Sequence, residues 1–210
     1  MTKPLCIVIG VGPGNGASFA RRFSSDAHHV AILARNANYL NSLAKTIPQC
    51  HAFPCDVQKP KALRKTLAEV AARLGPASVM IYNAGEGEWR PPEETTLEGF
   101  ESSWRTNALG LLVSAQAMFQ EMSTQGRGNI VVIGATASIR GGATSTAFAS
   151  AKAAQRSLAQ SLARRFSPKG IHVSHIIIDG IIDLPRTREK RPDAPDDFYL
   201  QPDDIAETVA

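Results

Sequence analysis

A glycine-rich turn near the start of the chain is the first feature whose residue types and spacing could do chemistry. The apolar run Leu5–Ile9 leads directly into Gly10, Gly14 and Gly16, and small and apolar residues then alternate through Phe23. Glycines let the backbone turn sharply and approach a ligand closely, and the unpaired N–H groups at the start of a helix attract an anion. A dinucleotide pyrophosphate is the expected anion, although a plain hairpin or helix cap could use the same glycines.

A cationic side chain follows the second predicted strand, within Ala34-Arg35-Asn36. In a dinucleotide-binding fold this position meets the adenosine ribose, where a carboxylate would accept hydrogen bonds from a free 2′-hydroxyl. Arg35 offers a guanidinium, which pairs with a 2′-phosphate, and no carboxylate stands there to repel one. The sequence therefore favours NADP(H) over NAD(H), with a solvated surface arginine as the alternative.

Strand-like and helix-like patterns alternate along the whole chain, and these elements must position the turn and the arginine. The predicted strands are Leu5–Ile9, His29–Leu33, Cys50–Phe53, Ser78–Tyr82, Asn129–Ile133 and His172–Ile178. The predicted helices are Gly14–Phe23, Ala37–Thr46, Pro60–Arg73, Phe100–Met122 and Ser145–Phe166. Right-handed crossovers between parallel strands place helices on both faces of the sheet. We therefore predict a three-layer, doubly wound α/β Rossmann fold that forms one domain over residues 1–210.

The stretch Pro185 to Pro202 differs from the rest because it is rich in proline and charge and has little periodicity. It predicts a substrate loop or lid over residues 185–202, with a disordered connector as the alternative. Pro202-Asp203-Asp204 then resembles the start of a helix.

Composition excludes several classes of protein. Hydrophobic residues make up 43% and charged residues 20% of the 210, as in ordinary globular proteins. Because no apolar segment approaches a membrane span and no signal-peptide layout opens the chain, we expect a cytoplasmic protein without a membrane partner. The net charge of +4 is dispersed rather than gathered in a basic stripe, so no nucleic-acid partner is expected. Cys6, Cys50 and Cys55 show no metal-like spacing with histidines and predict reduced thiols without a metal site.

Five motifs in register resemble the short-chain dehydrogenase/reductase family over nearly the whole chain. They are the glycine turn, Asp56-Val57, Asn83-Ala84-Gly85, the segment from Trp104 through Asn107 to Gly110, and Lys152 within Phe148-Ala149-Ser150-Ala151-Lys152. Ile9 departs from the threonine that the family usually has before the first glycine. The resemblance and the turn together imply a cofactor-binding set made of Gly10, Gly12, Pro13, Gly14, Asn15, Gly16, Arg35, Asp56, Val57, Asn83, Ala84, Gly85, Lys152, Gly180, Ile181 and Ile182.

The catalytic centre departs from the family pattern. The family places a tyrosine four residues before the lysine and a serine about thirteen residues before the tyrosine, and these positions fall on Phe148 and Ala135. Lys152 and Asn107 remain, so the chain resembles an atypical, classical-like subgroup. In similar enzymes the phenol exchanges the substrate proton, while the lysine lowers the phenol pKa and holds the nicotinamide ribose. The segment Ile178 to Asp183 also lacks the proline that the family has before Gly180.

Phenylalanine cannot supply a proton, so another group would have to do so. The candidates are Thr136, Ser138, the run Thr144 to Thr146, Glu86 and Glu88. Hydroxyls near a helix start commonly cap it, and loop glutamates are commonly solvated, so the structural interpretation of each is the stronger one.

Two functions remain open from the sequence. The first is an NADP(H)-dependent oxidoreductase that acts on a small or medium apolar carbonyl or an activated alkene. The second is a catalytically inactive NADP(H)-binding protein that senses the cofactor or serves as an oligomer subunit. The resemblance implies a homodimer or homotetramer built on Phe100–Met122 and Ser145–Phe166. It also implies a last strand that this chain lacks, which would leave one edge of the sheet open.

Overall fold

The computed structural model describes residues 3–210, and six parallel strands form its central sheet in the order β3-β2-β1-β4-β5-β6. These strands are β1 (Leu5–Ile9), β2 (His29–Ala34), β3 (Cys50–Pro54), β4 (Ala77–Tyr82), β5 (Gly128–Ala135) and β6 (Ile171–Ile178). All five residues of β1 are buried, because a central parallel strand is covered on both faces. The predicted doubly wound α/β fold is confirmed.

Eight α-helices accompany the sheet in the described part of the chain. They are α1 (Asn15–Ser25), α2 (Ala37–Thr46), α3 (Pro60–Leu74), α4 (Leu97–Trp104), α5 (Gly110–Gln125), α6 (Thr146–Phe166), α7 (Pro185–Glu189) and α8 (Pro202–Val209). Local sequence explains several of their starts. The Asn36 side chain accepts a hydrogen bond from the Tyr39 N–H at α2, Thr96 does the same for Gly99 at α4, and Pro60 occupies the first turn of α3.

Two apolar cores lie on opposite faces of the sheet. On one face, Leu63 of α3, Leu111 of α5 and Leu162 of α6 pack against the strands. On the other face, Phe19 of α1, Leu40 of α2 and Ile205 of α8 do so. This arrangement leaves the carboxyl ends of the strands as the edge at which polar groups can collect.

The predicted single helix Phe100–Met122 is wrong in one respect. The structure divides this region into α4, a π-helical turn over Arg105–Leu109, and α5. A π turn widens the helix locally and redirects backbone carbonyl groups, and such turns concentrate at functional sites. Asn107, a predicted catalytic residue, lies at its centre.

The segment 185–202 contains more regular structure than its sequence indicates. It holds α7, a short 3-10 turn at Asp196–Phe198, and β8 (Tyr199–Leu200), which pairs in parallel with β7 (Ile181–Ile182). Periodicity could not reveal these elements because each is only two to five residues long. Beyond the segment, α8 confirms the predicted helix start at Pro202. Within residues 3–210, β3 and β6 are the two edge strands of the main sheet.

Candidate functional site

A single cleft of about 910 Å³ runs along the carboxyl edge of the sheet. It begins at the glycine turn between β1 and α1, passes the ends of β4 and β5, and reaches Phe148 on α6. Every predicted cofactor-binding residue lines this cleft, as do Ala135 and Phe148. Asn107 is the exception among the predicted site residues, because it is fully buried beneath the cleft.

The glycine turn shows how the chain could hold a dinucleotide. Gly10 has a φ of +91°, and a Cβ there would lie 2.3 Å from the Ala84 backbone nitrogen, so this position admits no side chain. By contrast, a Cβ on Gly12 would meet nothing within 4 Å, which leaves this stretch of backbone open to a ligand. The Asn15 side-chain oxygen is buried without a partner at the start of α1. The turn therefore fits a pyrophosphate at a helix N-terminus.

Asn83, Ala84 and Gly85 close the floor of the cleft after β4. The Asn83 side-chain amide donates to the Gly10 carbonyl oxygen at 2.7 Å, and the Asn83 backbone N–H donates to Ile9 at 2.8 Å. These bonds tie the end of β4 to the glycine turn, so Asn83 holds the shape of the turn. Further along the edge, Asp56 accepts a hydrogen bond from the Gln58 backbone N–H at 3.0 Å.

Arg35 lies exposed at the end of the cleft that borders β2 and faces the Glu86 carboxylate, with 3.4 Å between the charged atoms. Arg35 follows β2 and Glu86 follows β4, and these two strands flank β1 on either side. The ion pair therefore spans the cleft above the glycine turn. A 2′-phosphate bound to Arg35 would compete with Glu86 for the same guanidinium.

Lys152 is buried at the centre of a hydrogen-bond network. Its Nζ donates to the Ile133 carbonyl oxygen at 2.9 Å and to the Gln155 side-chain oxygen at 3.0 Å. Burial lowers the pKa of the Lys152 ammonium to about 8. Close by, burial, together with the charges of Lys152 and Arg156, lowers the pKa of His175 to about 4.

Gln155 connects this network to the π turn. Its side-chain amide donates to the Asn107 carbonyl oxygen at 3.2 Å, so one side chain joins Lys152 to Asn107. The Asn107 amide in turn donates to the carbonyl oxygens of Glu86, at 2.7 Å, and Ser103, at 2.8 Å. Its side-chain oxygen is buried without a partner and lies over Gly85 beside Lys152. Sequence reasoning missed Gln155, although its i,i+3 spacing from Lys152 places both on one helix face.

An aromatic wall closes the other end of the cleft. The Phe148 ring centroid lies 4.8 Å from that of Trp89, with 31° between the ring planes, and 5.9 Å from the Lys152 Nζ. Trp89 is 63% exposed, so it forms the mouth of the cleft. Sequence reasoning missed Trp89 because its loop position carries no periodic signal. Together with Ala135, these rings make the surroundings apolar.

Most of the candidate proton donors already have structural partners. Glu88 accepts from the Thr96 backbone N–H at 2.9 Å and pairs with Arg90, while Glu86 pairs with Arg35. The Ser145 hydroxyl is bonded to Gly142. Ser138 is buried.

Among the candidate hydroxyl groups, that of Thr136 belongs to a residue that lines the cleft. It donates to the carboxylate of Asp179, which also lines the cleft, at 2.5 Å.

The segment after β7 packs onto the glycine turn. A Cβ on Gly14 would lie 2.6 Å from a methyl carbon of Leu184, so Leu184 covers this part of the turn. Arg188 pairs with Asp183 at 2.6 Å and with Asp196 at 2.7 Å, and its guanidinium lies 4.7 Å from the Tyr199 ring centroid. The Arg188 guanidinium and the Gln201 amide lower the pKa of Asp183 to about 2. These contacts anchor a segment whose first residues line the cleft.

Comparison with known proteins agrees with this geometry. The family model described as "short chain dehydrogenase" matches residues 5–195. The chain is 27% identical over 186 residues to a 3-oxoacyl-[acyl-carrier-protein] reductase of Bos taurus, covering 88% of this chain and 78% of that protein.

Two solved structures share the fold. A short-chain dehydrogenase from Rhodopseudomonas palustris has 32% identity and a TM-score of 0.79, covering 94% of this chain and 97% of that chain. An alcohol dehydrogenase from Thermococcus sibiricus, complexed with 5-hydroxy-NADP, has 25% identity and a TM-score of 0.86, covering 99% of this chain and 88% of that chain.

The chain therefore belongs to the short-chain dehydrogenase family, which is a family of oxidoreductases. All three cysteines are free, and no helix among residues 3–210 combines the length and apolarity that crossing a membrane requires.

Proposed function

We propose that this protein is an NADP(H)-dependent oxidoreductase that acts on a small or medium apolar carbonyl compound or its alcohol, or on an activated alkene. The observation that carries the proposal is the continuity of the cleft. One cavity joins an open glycine turn, the buried Lys152 and the aromatic wall of Phe148 and Trp89. When bound, a nicotinamide dinucleotide supplies or accepts a hydride at the far end from the turn.

The chain offers a group for each part of the dinucleotide. Gly12 and the N-terminus of α1 would hold the pyrophosphate, Asp56 and Val57 the adenine, and Lys152 the nicotinamide ribose. The residues after β6, Gly180 to Ile182, would border the nicotinamide. Arg35 is the reason for preferring NADP(H), and the Thermococcus sibiricus relative bound to an NADP derivative supports that preference.

The substrate end supports an apolar compound. Phe148, Trp89 and Ala135 surround the cleft there and carry no ionisable group. The 3-oxoacyl reductase and alcohol dehydrogenase relatives act at a carbonyl or hydroxyl carbon, which agrees with this class of substrate. We further propose that residues 185–202 form a lid on the substrate, since Leu184 to Thr187 line the cleft.

The missing phenol is compatible with catalysis. A positioned general acid contributes about 10²–10⁴-fold, or roughly 3–5 kcal/mol, whereas holding two reactants in the right geometry contributes about 7–11 kcal/mol. The larger of these two contributions, that of positioning, requires only that the glycine turn holds the coenzyme and the apolar pocket holds the substrate.

The alternative is an inactive NADP(H)-binding protein that acts as a sensor or an oligomer subunit. Phe148 and Ala135 favour it, because neither can exchange a proton.

Two measurements on the purified protein separate these functions. Calorimetry with NADPH and NADH measures coenzyme binding. NADPH oxidation with benzaldehyde, acetophenone, cyclohexanone and 2-cyclohexenone measures turnover. We expect NADPH to bind and at least one carbonyl to be reduced, with Lys152→Ala abolishing both. Tight NADPH binding without turnover above background would favour the sensor, and no binding of either coenzyme would refute both functions.

A further inference from the structure

Thr136 and Asp179 form a polar pair at the substrate end of the cleft that the cofactor cradle does not explain. Thr136 follows Ala135 in a 3-10 turn at the end of β5, and Asp179 follows the last residue of β6. The two strands are neighbours, and Ala135 is in register with Ile178. The pair therefore stands immediately beside the position where the family's serine is absent.

The geometry of the pair suits proton transfer. The Thr136 hydroxyl donates to the Asp179 carboxylate at 2.5 Å, so its oxygen keeps a lone pair for another donor. Both residues line the same cleft as Phe148 and Lys152, and Asp179 is exposed and can exchange protons with water.

We infer that Thr136 and Asp179 form a proton relay that replaces the missing phenol. Thr136 is the catalytic residue because it contacts the substrate oxygen, and Asp179 acts through it as a positioning residue and proton acceptor. This inference rests on the proposed function.

The step balances in both directions. In alcohol oxidation the substrate O–H proton passes to the Thr136 oxygen, and the Thr136 proton passes to Asp179. The electron pair of the substrate C–H bond leaves as hydride to the oxidised dinucleotide, and the C=O bond forms. In carbonyl reduction a hydride from the reduced dinucleotide would form the C–H bond, and the C=O π electrons would become a lone pair of the alkoxide oxygen. Thr136 gives its proton to this alkoxide and takes one from protonated Asp179, and the Asp179 carboxylate regains its proton from hydronium in the solvent.

Several other polar groups that line the cleft are already used within the chain. The Thr106 hydroxyl accepts from Gln58 at 2.9 Å, and the Thr187 hydroxyl donates to the Ile182 carbonyl oxygen at 2.6 Å. Glu86 faces Arg35. The two hydrogen bonds of Lys152 direct its ammonium toward Ile133 and Gln155. Thr136 is thus a hydroxyl that combines an adjacent carboxylate with access to the cleft.

Oxidation of cyclohexanol with NADP⁺ and reduction of cyclohexanone with NADPH test the relay. Thr136→Val should lower kcat about 10²-fold or more in both directions, whereas Thr136→Ser, which keeps the hydroxyl, should stay within about threefold. Asp179→Asn should lower kcat with little change in KM, because asparagine can accept the hydrogen bond but cannot take the proton. The double variant should be no slower than the slower single variant, since both changes break one relay.

Binding provides a readout that is independent of turnover. NADPH affinity measured by calorimetry should stay within about twofold in every variant. Cyclohexanol affinity, measured by saturation-transfer NMR, should fall severalfold in Thr136→Val because one hydrogen bond is lost. Thr124→Val, at an exposed threonine of α5 that does not line the cleft, is the matched control and should change nothing.

The outcomes separate the relay from the proposed function. Full kcat in Thr136→Val overturns the relay and leaves the oxidoreductase intact. Weaker NADPH binding with unchanged kcat in Asp179→Asn also overturns it, because Asp179 would then serve the cofactor. Absence of wild-type turnover with the whole carbonyl panel and with cyclohexanol overturns both proposals. If Thr136→Val unfolds, Thr136→Ser and Asp179→Asn still decide the question.

Discussion

Because position 148 is a phenylalanine, the site has no phenolic hydroxyl beside Lys152. Its ring stacks against Trp89 and lies 5.9 Å from the Lys152 Nζ, so the side chain occupies the space beside the lysine without offering a hydroxyl. We therefore expect Phe148 to affect the rate of the proposed reaction rather than coenzyme binding, because none of the binding groups predicted at the glycine turn depends on this ring.

Restoring the hydroxyl at this position tests the geometry directly. In the Thr136→Val variant, where no relay supplies the proton, Phe148→Tyr should raise carbonyl reduction by at least tenfold, as part of the roughly 10²–10⁴-fold that a general acid contributes. Steady-state kinetics with the carbonyl panel measure the effect, and Phe148→Leu controls for altered packing. An unchanged rate in Phe148→Tyr would show that the surrounding groups are not arranged for catalysis by a phenol.

Arg35 should control coenzyme preference. Arg35→Ala should weaken NADPH binding about 10–100-fold, because hydrogen bonds to charged groups contribute about 1.5–3 kcal/mol, and should leave NADH within about twofold. Calorimetry with both coenzymes measures this, with Arg90→Ala, an exposed arginine that does not line the cleft, as the control. Equal losses for the two coenzymes would contradict a 2′-phosphate contact.

Lys152 links the stability of the protein to pH. Its pKa is lowered from 10.5 to about 8 by burial, so between these values the unfolded chain binds more protons than the folded one. The free energy of unfolding should therefore rise with pH across this window, by about 3 kcal/mol relative to Lys152→Met. Urea unfolding of both proteins from pH 7 to 10.5 measures the difference. If the free energies of unfolding of the two proteins changed in parallel with pH, the lowered pKa of Lys152 would be contradicted.

At the scale of elements, the π turn between α4 and α5 organises the centre of the site. It turns the Asn107 carbonyl oxygen toward Gln155, which holds Lys152 in place. An ordinary helix would direct that carbonyl along its own axis to the residue four positions on. The family motif places an asparagine in this segment, yet the connection through Gln155 depends on how α5 and α6 pack.

The turn between β1 and α1 separates a structural glycine from a binding one. Gly10→Ala should lower the free energy of unfolding by at least 1–3 kcal/mol, because the backbone has a positive φ and the Cβ meets the Ala84 backbone. Gly12→Ala should leave stability within about 1 kcal/mol and weaken NADPH binding, because its Cβ would project into open space at the cleft. Denaturation and calorimetry on both variants measure the two effects, and similar stabilities would contradict the packing at Gly10.

At the scale of the whole molecule, helix α4 exposes large apolar side chains to solvent. Leu97 is 81% exposed, Phe100 40% and Trp104 45%, and all three lie on α4. Such a patch commonly marks a surface for association. This agrees with the homodimer or homotetramer that we expect from the family resemblance, built on Phe100–Met122 and Ser145–Phe166.

Light scattering should therefore give a dimeric or tetrameric mass, since association would cover these side chains. Trp104→Ser should shift the distribution toward the monomer, while Arg127→Ser, after the far end of α5, should not. A monomeric mass for the unaltered protein at micromolar concentration would contradict the assembly.

Much of the fold was predictable from the sequence because it depends on local patterns. Apolar runs such as Leu5–Ile9 and amphipathic stretches such as Pro60–Arg73 encode strands and helices through their own periodicity, and alternation of the two implies a parallel sheet. The glycine turn, Arg35 and Lys152 were predictable in the same way, since each lies at a set position next to a strand or in a helix. The short elements after β6 were not, because two to five residues carry no periodic signal.

The sequence by itself determined the order of the elements, the nucleotide turn and the absence of a phenol at position 148, since each follows from residue types close together in the chain. Only the tertiary structure decided which distant side chains meet. Gln155 reaches Asn107, Trp89 stacks on Phe148, and Thr136 donates to Asp179 because packed helices and neighbouring strands bring them together. These contacts join residues that are 43 to 59 positions apart. Their geometry depends on the packing of the whole domain, which no local pattern encodes.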